Sequence, residues 1–210
     1  MCNLEAVQRD KIPMIRRFSG GGTVIVDEDT LFTTLICNDV DVPDCKPFPR
    51  DIMDFSKTLF GPALQLAQSP LELGLRENDY VFGDLKFGGN AQAITKNRWL
   101  HHTSFLWDFD PKLMEYLAMP AKRPEYRGDR NHREFLTPLK GHLMLREGLV
   151  AGISQTLAAT GRFDVRESSL EEVETILTGL GGKHSWISQC RTTFVGGDGS
   201  KLATPQEQLR

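Results

Sequence analysis

Cysteine is scarce and scattered in this chain. The four cysteines, Cys2, Cys37, Cys45 and Cys190, form no Cys-x-x-Cys pair and no ligand cluster. That excludes a disulfide framework or a zinc site as the organising principle and points to a reducing compartment. Long hydrophobic runs are also missing, and none approaches the roughly 18–20 residues that span a bilayer. The opening Met1–Val7 has neither a long apolar core nor an Arg/Ser-rich amphipathic lead, so it reads as neither a signal nor a transit peptide. Charge of one sign is not in excess: the net charge is -3, which removes any overall pull toward nucleic acid or anionic membrane. There is no internal repeat.

What remains is ordinary for a globular protein: 210 residues, 40% hydrophobic and 25% charged. This length suits one domain, or one with a small appendage. Residues 23–26 and 31–37 are β-branched and aromatic, and Asp27–Thr30 between them predicts a hairpin turn. Ile52, Phe55, Leu59, Ala63 and Leu66 recur at helical spacing over 51–68, with Gly61-Pro62 as a candidate kink. Tyr80–Phe82 and Leu85–Phe87 flank Gly83-Asp84 as a two-residue hairpin. Two further strands are expected over 91–107, turning near Lys96-Asn97.

Asp110-Pro111 predicts a capped helix to about Leu117, and 118–135 reads as irregular. Leu139, Leu143, Val150, Ile153 and Leu157 predict one long helix ending near Gly161. Ser168 or Ser169 with Glu171 or Glu172 forms a capping-box pattern before a second helix. The pattern predicts an α+β domain over 1–178, with a mixed, largely antiparallel sheet packed by helices. Residues 179–210 read as an irregular tail, disordered after Val195. A doubly wound nucleotide fold is disfavoured, because the glycines precede a strand and do not open a helix.

Two stretches carry chemistry. In Arg16-Arg17-Phe18-Ser19-Gly20-Gly21-Gly22-Thr23-Val24, three glycines expose backbone N–H groups beside positive charge, an arrangement suited to phosphate or carboxylate. Thr23 adds a hydroxyl, and no Gly-Lys-Ser/Thr closes a nucleoside-triphosphatase loop. In Lys86-Phe87-Gly88-Gly89-Asn90-Ala91, a lysine ends a strand against a second Gly-rich turn. There it could stabilise charge developing on a phosphate or an attacked carbonyl. Together they suggest an enzyme that handles an activated acyl phosphate.

Bland readings stand beside these. A glycine loop is often only a flexible lead into a strand, and a strand lysine is often solvated. His101 and His102 point to opposite strand faces, so one metal cannot easily take both. Cys37 reads as a small buried hydrophobe, with a thioester nucleophile as the sharper alternative. Arg123, Arg127, Arg130 and Arg133 with Tyr126 read as a solvated linker or as a docking surface for an acidic partner.

The motifs, with Asn78-Asp79 and Leu100-His101-His102-Thr103-Ser104, resemble those of the lipoate–protein ligase A family within the biotin/lipoate ligase superfamily. Order and spacing agree over roughly residues 12–117. The resemblance implies a mixed sheet packed by helices and a two-step reaction. ATP with Mg2+ and lipoate or octanoate would give an acyl adenylate. The acyl group would then pass to a lysine of a lipoyl domain of a 2-oxoacid dehydrogenase or of the glycine-cleavage H protein.

The resemblance also implies roles. Lys86 would be catalytic; Arg17, Gly20, Gly21, Gly22, Thr23, Asn78, Asn90 and Ala91 would bind ATP or the adenylate; His102 would line the acyl pocket. No protein-bound metal is expected, since no third ligand is suitably spaced beside the histidines, nor a membrane, and no nucleic acid, since no added helix-turn-helix is found. Val26, Gly88 and Thr103 stand where the family often has histidine, serine and glycine, with altered acyl preference or weaker nucleotide binding as the expected consequence. The chain begins only about fifteen residues before the Arg-Arg motif, where family members carry several dozen. A truncated product is therefore one expectation, and with it two alternatives: an ATP-independent acyl transferase, or a non-catalytic member that binds lipoyl domains or nucleotide. The absence of a targeting segment implies the cytoplasm, and an N-terminal truncation would leave mitochondrion or plastid open.

Overall fold

The computed structural model describes residues 2–119, 123–179 and 193–196. In chain order the helices and strands are α1 (Leu4–Arg9), β1 (Met14–Arg16), β2 (Thr30–Asn38), α2 (Pro49–Leu66), β3 (Gly74–Arg76), β4 (Asp79–Phe82), β5 (Leu85–Ile94), β6 (Arg98–Leu106), α3 (His132–Phe135), α4 (Arg146–Ala159), α5 (Leu170–Gly179) and β7 (Thr193–Val195). They fall into two compact units, one of Ser19–Asp164 and one of Cys2–Phe18 with the residues from Val165 onward.

The larger unit is a five-stranded antiparallel sheet in the order β2-β6-β5-β4-β3, packed by α2 and α4. The α+β expectation therefore holds. Strand β6 alternates cleanly: Trp99, His101, Thr103 and Phe105 are buried, and the residues between them are half-buried. That period of two gives the sheet an inner face against α2 and an outer face. On the inner face Phe60, Tyr80, Phe87 and Phe105 meet at ring separations of 5.1–6.4 Å. A second cluster of Val42, Cys45, Ile52 and Trp99 closes the far end.

Helix α2 starts on Pro49, whose missing N–H costs nothing at a first turn, and continues through Pro62 to Leu66. Leu66, assigned above to its apolar stripe, is 54% exposed. Helix α4 crosses α2 at Gly152, where a Cβ would lie 2.6 Å from the Ala63 carbonyl oxygen, so only glycine permits this approach.

Several expectations are corrected. Residues 23–26 are not a strand, and Val24 and Val26 are exposed. A strand needs a neighbour, and the described residues offer this segment none. The turn before β2 does form, with the Asp27 carboxylate accepting from the Asp29 N–H and the Thr30 hydroxyl. Leu139 and Leu143 are buried but lie outside α4. Their segment is a 3-10 turn (Leu139–Gly141) whose Lys140 N–H donates to the Trp107 carbonyl (2.8 Å), a tie to the end of β6 that a continuous helix could not make. Asp110 caps a 3-10 helix, Pro111–Tyr116, by accepting from the Lys112 N–H.

In the smaller unit β1 pairs antiparallel with β7. Helix α5 opens with the predicted capping box, Ser169 and Glu172 exchanging bonds of 2.6 and 3.2 Å. The predicted disorder after Val195, and Cys190, lie outside the described residues. Among those residues no helix is long and apolar enough to cross a membrane.

Candidate active site

Gly88 and Gly89 are not a turn. They continue β5, and the strand carries a bulge opposite Tyr80/Val81 that leaves Phe87 without a partner between the pairs Val81↔Lys86 and Tyr80↔Gly88. The extra residue decides which way Lys86 points. In a regular strand residues 86 and 89 face opposite sides, whereas here Phe87 and Gly88 both turn inward and Lys86 and Gly89 both face outward. Phe87 stacks on Phe82 at 4.2 Å, and a Cβ on Gly88 would meet Phe105 at 3.0 Å and Tyr80 at 3.3 Å. The Lys86 Nζ lies 3.4 Å from where a Gly89 Cβ would be, with Ser104 Oγ 3.8 Å from the same point.

Asp79 pairs with Gly89 across β4–β5 and faces the same side. Its Oδ1 holds Lys86 Nζ at 2.6 Å, and its Oδ2 accepts from the Tyr126 hydroxyl at 2.8 Å. The Asp79 side chain is 10% exposed and that of Lys86 27%. An ammonium so placed is partly desolvated yet open to a ligand on the outer face, where its charge counts for more than in water.

Ala91 and His102 are register partners on that face, and His102 Nδ1 lies 2.7 Å from Thr34 Oγ1. Phe32 and Ile36 flank Thr34 on β2 and are 52% and 66% exposed. The outer face thus sets the Lys86 ammonium beside side-chain-free backbone at Gly89, with a short apolar stripe on β2. His101 points inward, as the alternation demands.

The glycine loop meets β5 where the Gly20 N–H donates to the Gln92 carbonyl at 3.2 Å, beyond the end of β4. Gly21 has φ of 133°, open to glycine alone at no strain, and Gly20 and Gly22 leave open space where a Cβ would stand. Ser19 Oγ is buried with no hydrogen-bond partner among the described residues. Thr23 is exposed. Asn90 and Asn78 do come together, the Asn90 amide donating to the Asn78 carbonyl at the β3–β4 turn. Arg17 lies in the smaller unit.

Asp79, Tyr126 and Ser19 were not assigned roles from sequence. Asp79 and Ser19 sat inside quoted motifs, and Tyr126 was read only with the arginine cluster, because its partner Asp79 lies 47 residues away. Two of the four clustered arginines pack inward instead of standing in solvent. Arg127 is buried, and it and Arg130 lie over the Phe135 ring at 4.6 and 5.3 Å. The departures at Gly88 and Thr103 both fall on the inner face. Burial and then the charge of Asp41 push the Cys37 thiol up to about 11, which opposes the thiolate needed for an acyl-enzyme. No group of three His, Cys, Asp or Glu side chains converges as a metal site among the described residues.

The model of the lipoyl protein ligase A/B catalytic domain matches residues 1–159, and the chain belongs to that family. It is 29% identical over 163 residues to a protein named inactive lipoate–protein ligase 2 from Plasmodium falciparum, covering 64% of this chain and 42% of that one. It is 28% identical over 191 residues to the lipoate–protein ligase of Streptococcus pyogenes, covering 83% and 53%. The chain therefore spans about half the length of these curated relatives. The same fold is seen in a lipoate–protein ligase A crystallised with ATP, with TM-score 0.64, 19% identity, and coverage of 85% of this chain and 71% of that one. It recurs in the bipartite ligase of Thermoplasma acidophilum studied with its E2 lipoyl domain, with TM-score 0.60, 22% identity, and coverage of 85% and 70%.

Proposed function

We propose that residues 1–178 form a lipoate–protein ligase catalytic domain that activates lipoate or octanoate with ATP and transfers the acyl group to a lipoyl-domain lysine. The observation that carries this reading is the Lys86 ammonium held on the outer face beside Gly89. Activation requires a carboxylate oxygen to attack the α-phosphorus while pyrophosphate leaves, bringing two like charges together. Lys86 would screen that repulsion. In the second step the acceptor amine attacks the acyl carbonyl and AMP leaves, and Lys86 would stabilise the oxyanion between.

The open space where side chains would stand on Gly20 and Gly22, and the Ser19 hydroxyl with no hydrogen-bond partner among the described residues, suit a phosphate, as would Thr23. Asn78 and Asn90 would hold the adenylate end, Ala91 would let it approach, and His102 beside Phe32 and Ile36 would line the acyl pocket. Magnesium would come with the ATP phosphates. Asp79, the carboxylate beside Lys86, is already bonded through both oxygens, so no step is assigned to a protein-held ion. The acceptor would be an apo lipoyl domain, in keeping with the E2 lipoyl domain named with the archaeal ligase.

A second reading, a non-catalytic family member that binds nucleotide or lipoyl domains, is favoured by the inactive name of the Plasmodium relative. Intact-mass measurement of an apo lipoyl domain incubated with this chain, magnesium, ATP and lipoate separates the readings. One added lipoyl group supports the ligase. Addition only from supplied lipoyl-AMP identifies a transferase. No addition from either, with a melting temperature that rises with lipoyl-AMP, identifies a binding protein.

A further inference from the structure

The arginine-rich segment and the residues after it, 124–137, are anchored at three points of the β3–β4–β5 hairpins. Glu125 N–H donates to Glu77 Oε1 (2.6 Å) at the β3–β4 turn, and Arg130 Nη1 donates to the Asp84 carbonyl (2.9 Å) at the β4–β5 turn. Leu136 bridges Lys86, and Thr137 N–H donates to the Lys86 carbonyl (2.9 Å). Internally, Arg130 donates to the carbonyls of Tyr126 and Arg127, and the Tyr126 ring packs on Phe135 at 5.3 Å. The segment is thus held in place without the Tyr126 hydroxyl.

That hydroxyl nevertheless reaches a carboxylate nine-tenths buried, donating to Asp79 Oδ2 while Lys86 Nζ takes Oδ1. Burial first, and then the negative charge of Asp79, push the Tyr126 phenol well above its ordinary value, so it stays a donor at any working pH. A carboxylate with one oxygen engaged by a fixed donor cannot rotate freely about its Cβ–Cγ bond. Its second oxygen then has one direction, and that direction is toward the Lys86 ammonium on the Gly89 side.

We propose that Tyr126 is a positioning residue for Lys86, acting through Asp79: the hydroxyl fixes the carboxylate and the carboxylate aims the ammonium. The catalytic consequence rests on the assignment of Lys86 above; the positioning itself does not. The segment that packs beside the site is then part of its working geometry and not only a cover.

The test is trace acetylation with acetic anhydride on the full chain, reading Lys86 against Lys57 and Lys96 by peptide mass spectrometry. In Tyr126→Phe, which keeps the ring on Phe135, Lys86 labelling should rise several-fold relative to the two reference lysines, as its ammonium loses a fixed partner. Asp79→Asn should raise it further, and Arg123→Ala, in the same segment but outside the relay, should leave it unchanged. Where the wild type transfers acyl groups from lipoyl-AMP, Tyr126→Phe should lower kcat about tenfold with KM nearly unchanged, the size expected for a lost charge-assisted hydrogen bond. Unchanged Lys86 labelling in Tyr126→Phe, with raised labelling in Asp79→Asn, overturns the proposal. A wild type that neither activates nor transfers overturns the ligase reading instead, and leaves the labelling result to decide this one.

Discussion

The Tyr80 hydroxyl lies 2.7 Å from Nε2 of His101, inside a buried chain of polar groups on the inner face of the sheet. Gln92 Nε2 donates to the Pro49 carbonyl and to His101 Nδ1, which leaves Nε2 to carry the imidazole proton. His101 then donates to Tyr80, Tyr80 to Ser56 Oγ (2.5 Å), and Ser56 to the Met53 carbonyl (2.7 Å). Thr103 Oγ1 lies 3.1 Å from the same Nε2. The Gln92 link needs a neutral ring, because a protonated Nδ1 carries a hydrogen where it now accepts.

Stability should therefore fall in acid. Burial first, and then His102, lower the His101 pKa from 6.5 to about 4. The unfolded chain takes up the proton near 6.5 and the folded chain only near 4. The stabilisation is present above pH 6.5 and is lost as pH falls between these values. The loss should approach about 3 kcal/mol at pH 4. Chemical denaturation at pH 7.5 and 4.5 measures it, and a pH response of equal size in His101→Gln would rule out this histidine as the source.

The adjacent glycines of β5 should respond in opposite ways. A Cβ on Gly88 meets Phe105 at 3.0 Å, so Gly88→Ala should cost about 1–3 kcal/mol of overpacking. A Cβ on Gly89 meets only ordinary contacts with Lys86, so Gly89→Ala should fold normally. Its methyl would stand on the outer face and weaken lipoyl-AMP binding. Paired thermal melts and calorimetric titrations check this, and equal behaviour of the two variants would contradict the two-faced reading of the strand.

Lys86→Ala should lower acyl transfer by at least about 10²–10³-fold, the usual effect of losing a charge at a developing oxyanion. Asp79 would keep only Tyr126, a loss of about 1–3 kcal/mol for a partly buried pair. A cooperative melt with no mass gain on the acceptor domain is the expected combination. Transfer at the wild-type rate would remove Lys86 from the chemistry.

Cys37→Ser should transfer acyl groups as the wild type does. With its thiol pushed up to about 11, Cys37 should also alkylate slowly at pH 7, as should Cys45, raised to about 11 by burial first. Iodoacetamide labelling followed by mass spectrometry reads both. A thioester trapped on Cys37 would instead point to a cysteine-dependent transferase.

Much of the fold was legible in the chain. The 3.6-residue spacing located α2, Gly83 between two aromatic runs located the β4–β5 turn with its φ of 60°, and the capping box located α5. These are local signals, each set by a few neighbouring residues. Segment 23–26 looked equally strand-like, because β-branched composition is a preference that only a pairing partner turns into a strand. Leu139 and Leu143 kept helical spacing and burial, but a backbone tie to Trp107 held them in a tighter turn.

The candidate site divides in the same way. The amino-acid sequence by itself determined which groups are present: the arginine and glycine motif, Lys86, the Asn-Asp pair and two histidines that alternation sends to opposite faces. Only the tertiary structure decided where they point. A one-residue bulge, allowed because Gly88 has no side chain to strike Phe105, turns Lys86 to the face of Gly89 and Asp79. A tyrosine remote in sequence then completes the contact. Residue type is written in the chain, but the direction of a side chain in a sheet depends on register, and register is settled by packing between strands.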